Sequence, residues 1–226
     1  MKIAFVIYDG MTTLDFAGAF DPITRLKTMG FVPDLEWDVC AFSEKVKSWE
    51  GLEILPSRVK NNLSGYDYVI VPGGNSIGTL VKDAKFILWL KNTDKDAKIA
   101  AVCGGSILLG VAGGLDGKKA TTHPALIDYL RKFAKEVSNE RIVDDGNVIT
   151  ARGVTSSIDL GLYICEKIAG EDIRKTIQKQ MDYLNYSMDP ERQRGDLKER
   201  TAMARKQKTT IQAGGASAPQ QTKKPL

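Results

Sequence analysis

The stretch Lys98-Ile-Ala-Ala-Val-Cys103-Gly104-Gly105-Ser106-Ile-Leu-Leu-Gly110 constrains this chain more than any other. A short run of strand character reaches a cysteine, and small residues then open a helix. A strand that turns at once into a helix leaves no room for side chains beside the turning residue. Small residues are therefore needed two places before and after it, where Ala101 and Gly105 stand. This is the pattern of a nucleophile elbow, and it makes Cys103 the candidate nucleophile. The helix that starts here directs free N–H groups and its positive end at the sulfur, which favours thiolate over a free thiol of pKa about 8.5. A fall of about two units needs about 2.7 kcal/mol, more than the dipole supplies, so a hydrogen bond would have to help.

Around this elbow, residues 1–188 alternate short β-branched or apolar runs with helical-period segments, the pattern of βαβ units. Strands are predicted at Lys2–Tyr8, Glu36–Phe42, Tyr66–Val71 and Lys98–Val102, and at the two arms that flank the Asp145-Gly146-Asn147 turn. Trp49–Pro56 and its surroundings suit a short hairpin. Helices are predicted over Thr13–Met29 with an interruption near Pro22, over Asp83–Asn92, from the elbow to Ala112, and over Pro124–Ala134, Ser156–Ala169 and Glu171–Asn185. The expected fold is an α/β sandwich on a mostly parallel sheet. Residues 189–226 form a basic extension, helical to about Lys208 and then of low complexity, for which a disordered tail is expected.

Composition excludes several classes of function. The longest apolar run, Ile107–Leu115, is too short and glycine-broken to span a bilayer. Three cysteines at irregular spacing make no disulfide framework and, with no signal peptide at the N-terminus, suit a reducing cytoplasm. Cys40, in an alternating strand, and Cys165, in an apolar helix, read as core residues. With His123 as the single histidine, HExxH and zinc-finger spacings cannot exist. The net charge of +4 belongs to the tail: from Pro190 onward nine basic and three acidic residues give +6, which leaves the body at −2. The body therefore lacks the basic surplus of a nucleic-acid binder, although the tail could touch one nonspecifically.

A thiolate attacking an unsaturated carbon needs donors for the developing charge and a group to move a proton. Pro72-Gly73-Gly74-Asn75 closes the 66–71 strand at the sheet edge where ligands gather, so the N–H groups of Gly74 and Gly104 are the candidate donors. Asp15, just after the first strand, is the candidate acid or base, and burial among Leu14, Phe16 and Ala17 would raise its pKa. His123, in a Thr-rich turn, reads as structural. Gly113-Gly114-Leu-Asp-Gly117-Lys118-Lys119 lacks the spacing and hydroxyl of a phosphate loop.

The segments IAFVIYDGMTTLDFAGAFDPI, YDYVIVPGGN, AAVCGGSILLGVAGGLDGKKATTHP and ITARGVTSSIDLGLYICEKIAG resemble the ThiJ/PfpI superfamily over about residues 1–185. The first helix and the glycine-rich stretch after the elbow look most like its isonitrile hydratase branch. The resemblance implies a flavodoxin-like three-layer α/β/α sandwich, a homodimer, no metal and no organic cofactor. It implies Cys103 as nucleophile, Asp15 as its assisting acid, and Gly74 and Gly104 as backbone donors. Protease-like members carry histidine where Gly104 stands, so peptidase activity is not expected; isonitrile hydratases commonly carry threonine there. Branches of the DJ and glyoxalase types carry glutamate where Asp15 stands, whereas TTHP and ARGVTSS look more like the DJ branch.

The expected activity is hydration of a small electrophile, an isonitrile, to an N-substituted formamide. The alternatives are action on 2-oxoaldehydes such as methylglyoxal, and a redox-sensing or regulatory module without catalysis. A transcription regulator of the AraC type would need a helix-turn-helix domain after the core, where this chain has about 37 residues.

Overall fold

The computed structural model describes residues 1–183, and the predictions for the C-terminal extension lie outside them. Eleven strands are described: β1 (Lys2–Ile7), β2 (Glu36–Ala41), β3 (Val46–Lys47), β4 (Glu53–Ile54), β5 (Arg58–Val59), β6 (Tyr68–Val71), β7 (Lys98–Val102), β8 (Lys119–Ala120), β9 (Glu136–Val137), β10 (Ile142–Asp145) and β11 (Val148–Ala151). The helices are α1 (Thr13–Thr28), α2 (Ile77–Leu80), α3 (Ala84–Lys91), α4 (Gly105–Val111), α5 (Ile127–Leu130), α6 (Ser156–Ala169) and α7 (Glu171–Gln180).

Seven strands make one sheet in the order β10-β11-β7-β6-β1-β2-β5, parallel except for the β10–β11 hairpin. Side chains alternate between its two faces, and both faces are covered, as expected of parallel strands that read as continuous apolar runs. Ile3 and Phe5 of β1, Tyr68 and Ile70 of β6, and Ala100 and Val102 of β7 join a core with α1, α6 and α7. Ala4, Val6, Val69, Val71 and Ala101 join the other core, with α2, α3, α4 and α5. The result is the flavodoxin-like three-layer sandwich that the sequence predicts.

From β1 the chain steps to β2 on one side and later returns to place β6 on the other. The strand order therefore reverses between β1 and β6, and the crevice at their carboxyl ends is the usual ligand position of an open α/β sheet. Asp15 follows β1, Gly73 and Gly74 follow β6, and Cys103 follows β7.

Three predicted helices differ from the structure. No interruption occurs at Pro22: α1 runs through it, because the proline is buried and seats its ring on α6. A Cβ on Gly161 would come within 2.3 Å of the Pro22 Cγ and 2.9 Å of the Ala19 carbonyl oxygen. Packing there outweighs the helix-breaking tendency of proline. The helix predicted over Pro124–Ala134 is a 3-10 turn, Pro124–Leu126, followed by the four-residue α5. Its chain turns at residues 131–133, and Phe133 lies over Gly110 of α4, where a Cβ would stand 2.7 Å from the Phe133 Cβ. α7 ends at Gln180 rather than Asn185, in a turn where Asp182 has φ +53°. Cys40 and Cys165 are buried core residues, as read from the sequence.

Gly161→Ala is expected to destabilise the fold by about 1–3 kcal/mol, since the added methyl meets backbone as well as a ring. Chemical denaturation should show an earlier midpoint with an unchanged slope.

Candidate active site

Cys103 has φ +56°, a left-handed conformation rare for a residue with a side chain and the signature of the elbow. The surroundings hold it there. Its N–H donates to the carbonyls of Ala151 and Arg152 at 3.0 and 2.6 Å. Its carbonyl accepts from Ser106 Oγ at 2.8 Å and Thr122 Oγ1 at 2.7 Å. Gly105 must be glycine: a Cβ would lie 2.4 Å from the Val71 carbonyl oxygen and 2.8 Å from that of Pro72. The requirement for small residues inferred from the sequence is therefore a contact between α4 and the end of β6.

Asp15, fully buried in the first turn of α1, faces the elbow. Its Oδ2 accepts from the Gly73 N–H at 3.1 Å. Oδ1 is buried with no hydrogen-bond partner among the described residues. The carboxyl and the Cys103 side chain flank the same glycine, each within 3 Å of the place a Gly73 Cβ would take, and the charge of one raises the pKa of the other. Desolvation raises the Asp15 pKa to about 7, opposed by the Gly73 N–H and the thiol and reinforced by the charge of Glu50. This agrees with the raised pKa expected from its apolar neighbours.

The thiol departs from expectation. The helix start was expected to favour thiolate, yet Cys103 is pushed up to about 12, first by burial and then by the neighbouring Asp15 carboxylate. The Gly104 N–H does act in the expected direction, lowering the pKa, but it is outweighed. The two groups form a coupled pair. Burial disfavours the charged form of each, and a charge on Asp15 raises the thiol further.

The loops around the pair are tied together. Tyr8 donates its hydroxyl to the Pro72 carbonyl at 2.7 Å, and burial together with Asp15 and Cys103 raises its pKa. Met11 forms an antiparallel bridge to Gly74, flanked by Thr12 N–H to Gly73 O and Asn75 N–H to Gly10 O. That pattern turns the Gly74 N–H away from Met11. A Cβ at Gly74 would lie 2.4 Å from the Gly10 carbonyl oxygen. Gly104 lies under Ile77 and Leu126, whose side-chain carbons would stand 2.7 and 3.3 Å from a Cβ there. His123 accepts the Ala125 N–H on Nδ1 at 3.2 Å and packs on Gly153, a structural role like the one read from its turn.

Sequence reasoning missed two participants. Gly73, not singled out from its neighbour Gly74, is the residue whose N–H meets Asp15. A Cβ there would lie 2.6 Å from the Gly104 nitrogen, 2.7 Å from the Cys103 Cβ and 2.8 Å from Asp15 Oδ2. The PGG tripeptide marked the place but not which glycine. Glu50, on the β3–β4 turn, accepts from the Thr13 N–H at 3.0 Å and the Thr13 hydroxyl at 2.6 Å, and nothing local in the sequence marks it. Among the described residues, no group of three or more His, Cys, Asp or Glu side chains could hold a metal ion. None of the described helices is long and apolar enough to cross a membrane.

A cysteine on a strand-to-helix elbow, beside a buried carboxyl at the switch point of a flavodoxin-like sheet, defines a class of thiol-bearing α/β domains. The DJ-1/PfpI family profile matches residues 1–167, and the chain belongs to that family. It is 31% identical to isonitrile hydratase of Pseudomonas putida over 185 residues, 81% of this chain and 78% of the relative. Protein DJ-1alpha of Drosophila melanogaster is 26% identical over 181 residues, covering 78% of this chain and 81% of the relative. The crystal structure of a THiJ/PfpI family protein from Pseudomonas syringae superposes with a TM-score of 0.73 at 29% identity, covering 83% of this chain and 77% of that one.

Because native Asp15 keeps its proton to about pH 7, against 3.8 for a free carboxyl, the folded state binds more protons across that window. The stability this group contributes is present at low pH and is lost as pH rises through 7. Asp15→Asn should therefore gain stability over the unmodified protein between pH 4 and pH 8, on the order of 4 kcal/mol or about 12 °C in Tm. Thermal melts of both proteins across that range would check it.

Proposed function

We propose that the protein hydrates isonitriles to N-substituted formamides, with Cys103 as nucleophile and Asp15 as proton carrier. One observation carries this reading: a buried carboxyl faces the elbow thiol. In isonitrile hydration the same terminal carbon must receive both the sulfur and a proton, so the acid has to stand beside the nucleophile.

The reactive form is the pair with one proton, in the tautomer that holds it on Asp15. The thiolate attacks the terminal carbon, a C–S bond forms, and Asp15 protonates that carbon to give a thioimidate. Water then adds across the C=N bond, its oxygen to carbon and a proton by way of Asp15 to nitrogen. On collapse, the C–S bond breaks, the hydroxyl proton passes to Asp15 and the formamide leaves. Charge developing at sulfur or substrate would be met by the N–H groups of Gly104 and Gly74. Ile77 and Leu126 supply an apolar wall over Gly104, suited to a substrate whose substituent is hydrocarbon.

Proton NMR of formamide formation from a panel of alkyl and aryl isonitriles tests the reading, with Cys103→Ala and Asp15→Asn alongside. Turnover should fall at least about 100-fold in both variants. In the intact protein kcat/KM should rise with pH through about 7, where the pair loses its first proton, and then level off. No formamide from a protein whose Cys103 still alkylates would sink the assignment and turn attention to 2-oxoaldehydes.

A further inference from the structure

The β3–β4 hairpin does more than close one edge of the molecule. Its turn reaches the first turn of α1, where Trp49 N–H donates to Met11 O at 2.8 Å and the Ser48 hydroxyl donates to Thr13 Oγ1 at 2.8 Å, leaving the Thr13 proton for Glu50. Glu50 Oε2 receives both the backbone N–H and the hydroxyl of Thr13. Thr13 opens α1, and Thr12, the residue in the capping position, makes no side-chain cap. An acid 37 positions away in the sequence thus caps the helix from outside.

Asp15 stands on the same turn, directed inward to Gly73 and Cys103. A carboxylate there would ordinarily draw stabilisation from the positive helix end. Glu50 already occupies that end, with its own pKa lowered to about 2 by the two Thr13 hydrogen bonds. A second negative charge on the turn is therefore opposed rather than favoured.

We propose that Glu50 is a positioning residue for the proton of the active site: by capping α1 with its own charge it keeps Asp15 able to hold a proton beside Cys103. The proposal rests on Asp15 being the proton carrier of the chemistry above, but not on the identity of the substrate. The other titratable groups acting on Asp15 are the Cys103 thiol at the elbow and Tyr8 at the end of β1, whose hydroxyl is engaged by the Pro72 carbonyl. From α6, packed along α1, Ser157 donates to the Leu14 carbonyl at 2.9 Å, and the charged Asp159 of that helix is paired with Arg141. Glu50 is the one surface charge in this set that reaches the turn directly, and being exposed it is open to screening by salt.

The test is the pH dependence of Cys103 alkylation by iodoacetamide, followed by mass spectrometry from pH 5 to 9, in the full chain and in Glu50→Gln. Glutamine keeps a hydrogen-bond acceptor for Thr13 and removes the charge. At low salt the inflection near pH 7 should move down by about half a unit, the size of one helix-end charge interaction. The difference should shrink in 0.5 M salt, to about half or less. A thermal melt accompanies each series, since a purely structural role would lower Tm without moving the inflection. An inflection unchanged in Glu50→Gln overturns the proposal, as does a shift insensitive to salt. An unmodified protein with no inflection between pH 5 and 9 overturns both the pair and this role for Glu50. A shifted inflection in a protein that makes no formamide supports Glu50 while removing the isonitrile assignment.

Discussion

A carboxyl buried against a thiol, with a single backbone N–H on Oδ2, is the constraint around which the carboxyl edge of this sheet is arranged. Neither group can take full charge cheaply in that position. Everything adjacent is built to bring them together: the left-handed Cys103, the close approach of Gly73, the bridge between Met11 and Gly74, and α1 pinned to α6 through Ser157 and Pro22. The raised pKa of both groups comes from this mutual restraint. A free cysteine on the surface would have an ordinary pKa and no acid to work with.

Much of the fold was legible because its elements carry strong local signals. β1, β6 and β7 are apolar on both faces, α6 has its boundaries where the periodicity puts them, and Gly146 and Gly170 adopt the positive φ their turns require. The elbow was legible for a steric reason that survives without any structure, namely the small residues around Cys103. Asp15 could be placed at the correct edge because it follows the first strand.

What the sequence hid depends on contacts between distant segments. Proline within α1 is tolerated only because Gly161, 139 positions later, leaves room for its ring. The sign of the Cys103 shift could not be read locally, because the helix start is a local feature while burial and the Asp15 charge are tertiary. Glu50 acts on α1 through a hairpin whose strands are two residues long, too short to register as a pattern.

The crowding above Gly104 carries a consequence for how this site can vary. Any side chain there would begin 2.7 Å from the Ile77 Cγ1, on a helix that starts 27 positions earlier. A hydroxyl beside the cysteine would therefore have to push the Ile77 side chain aside. The bare backbone at 104 and the hydrocarbon at 77 thus fit one another, and together they keep water-binding groups away from that side of the sulfur.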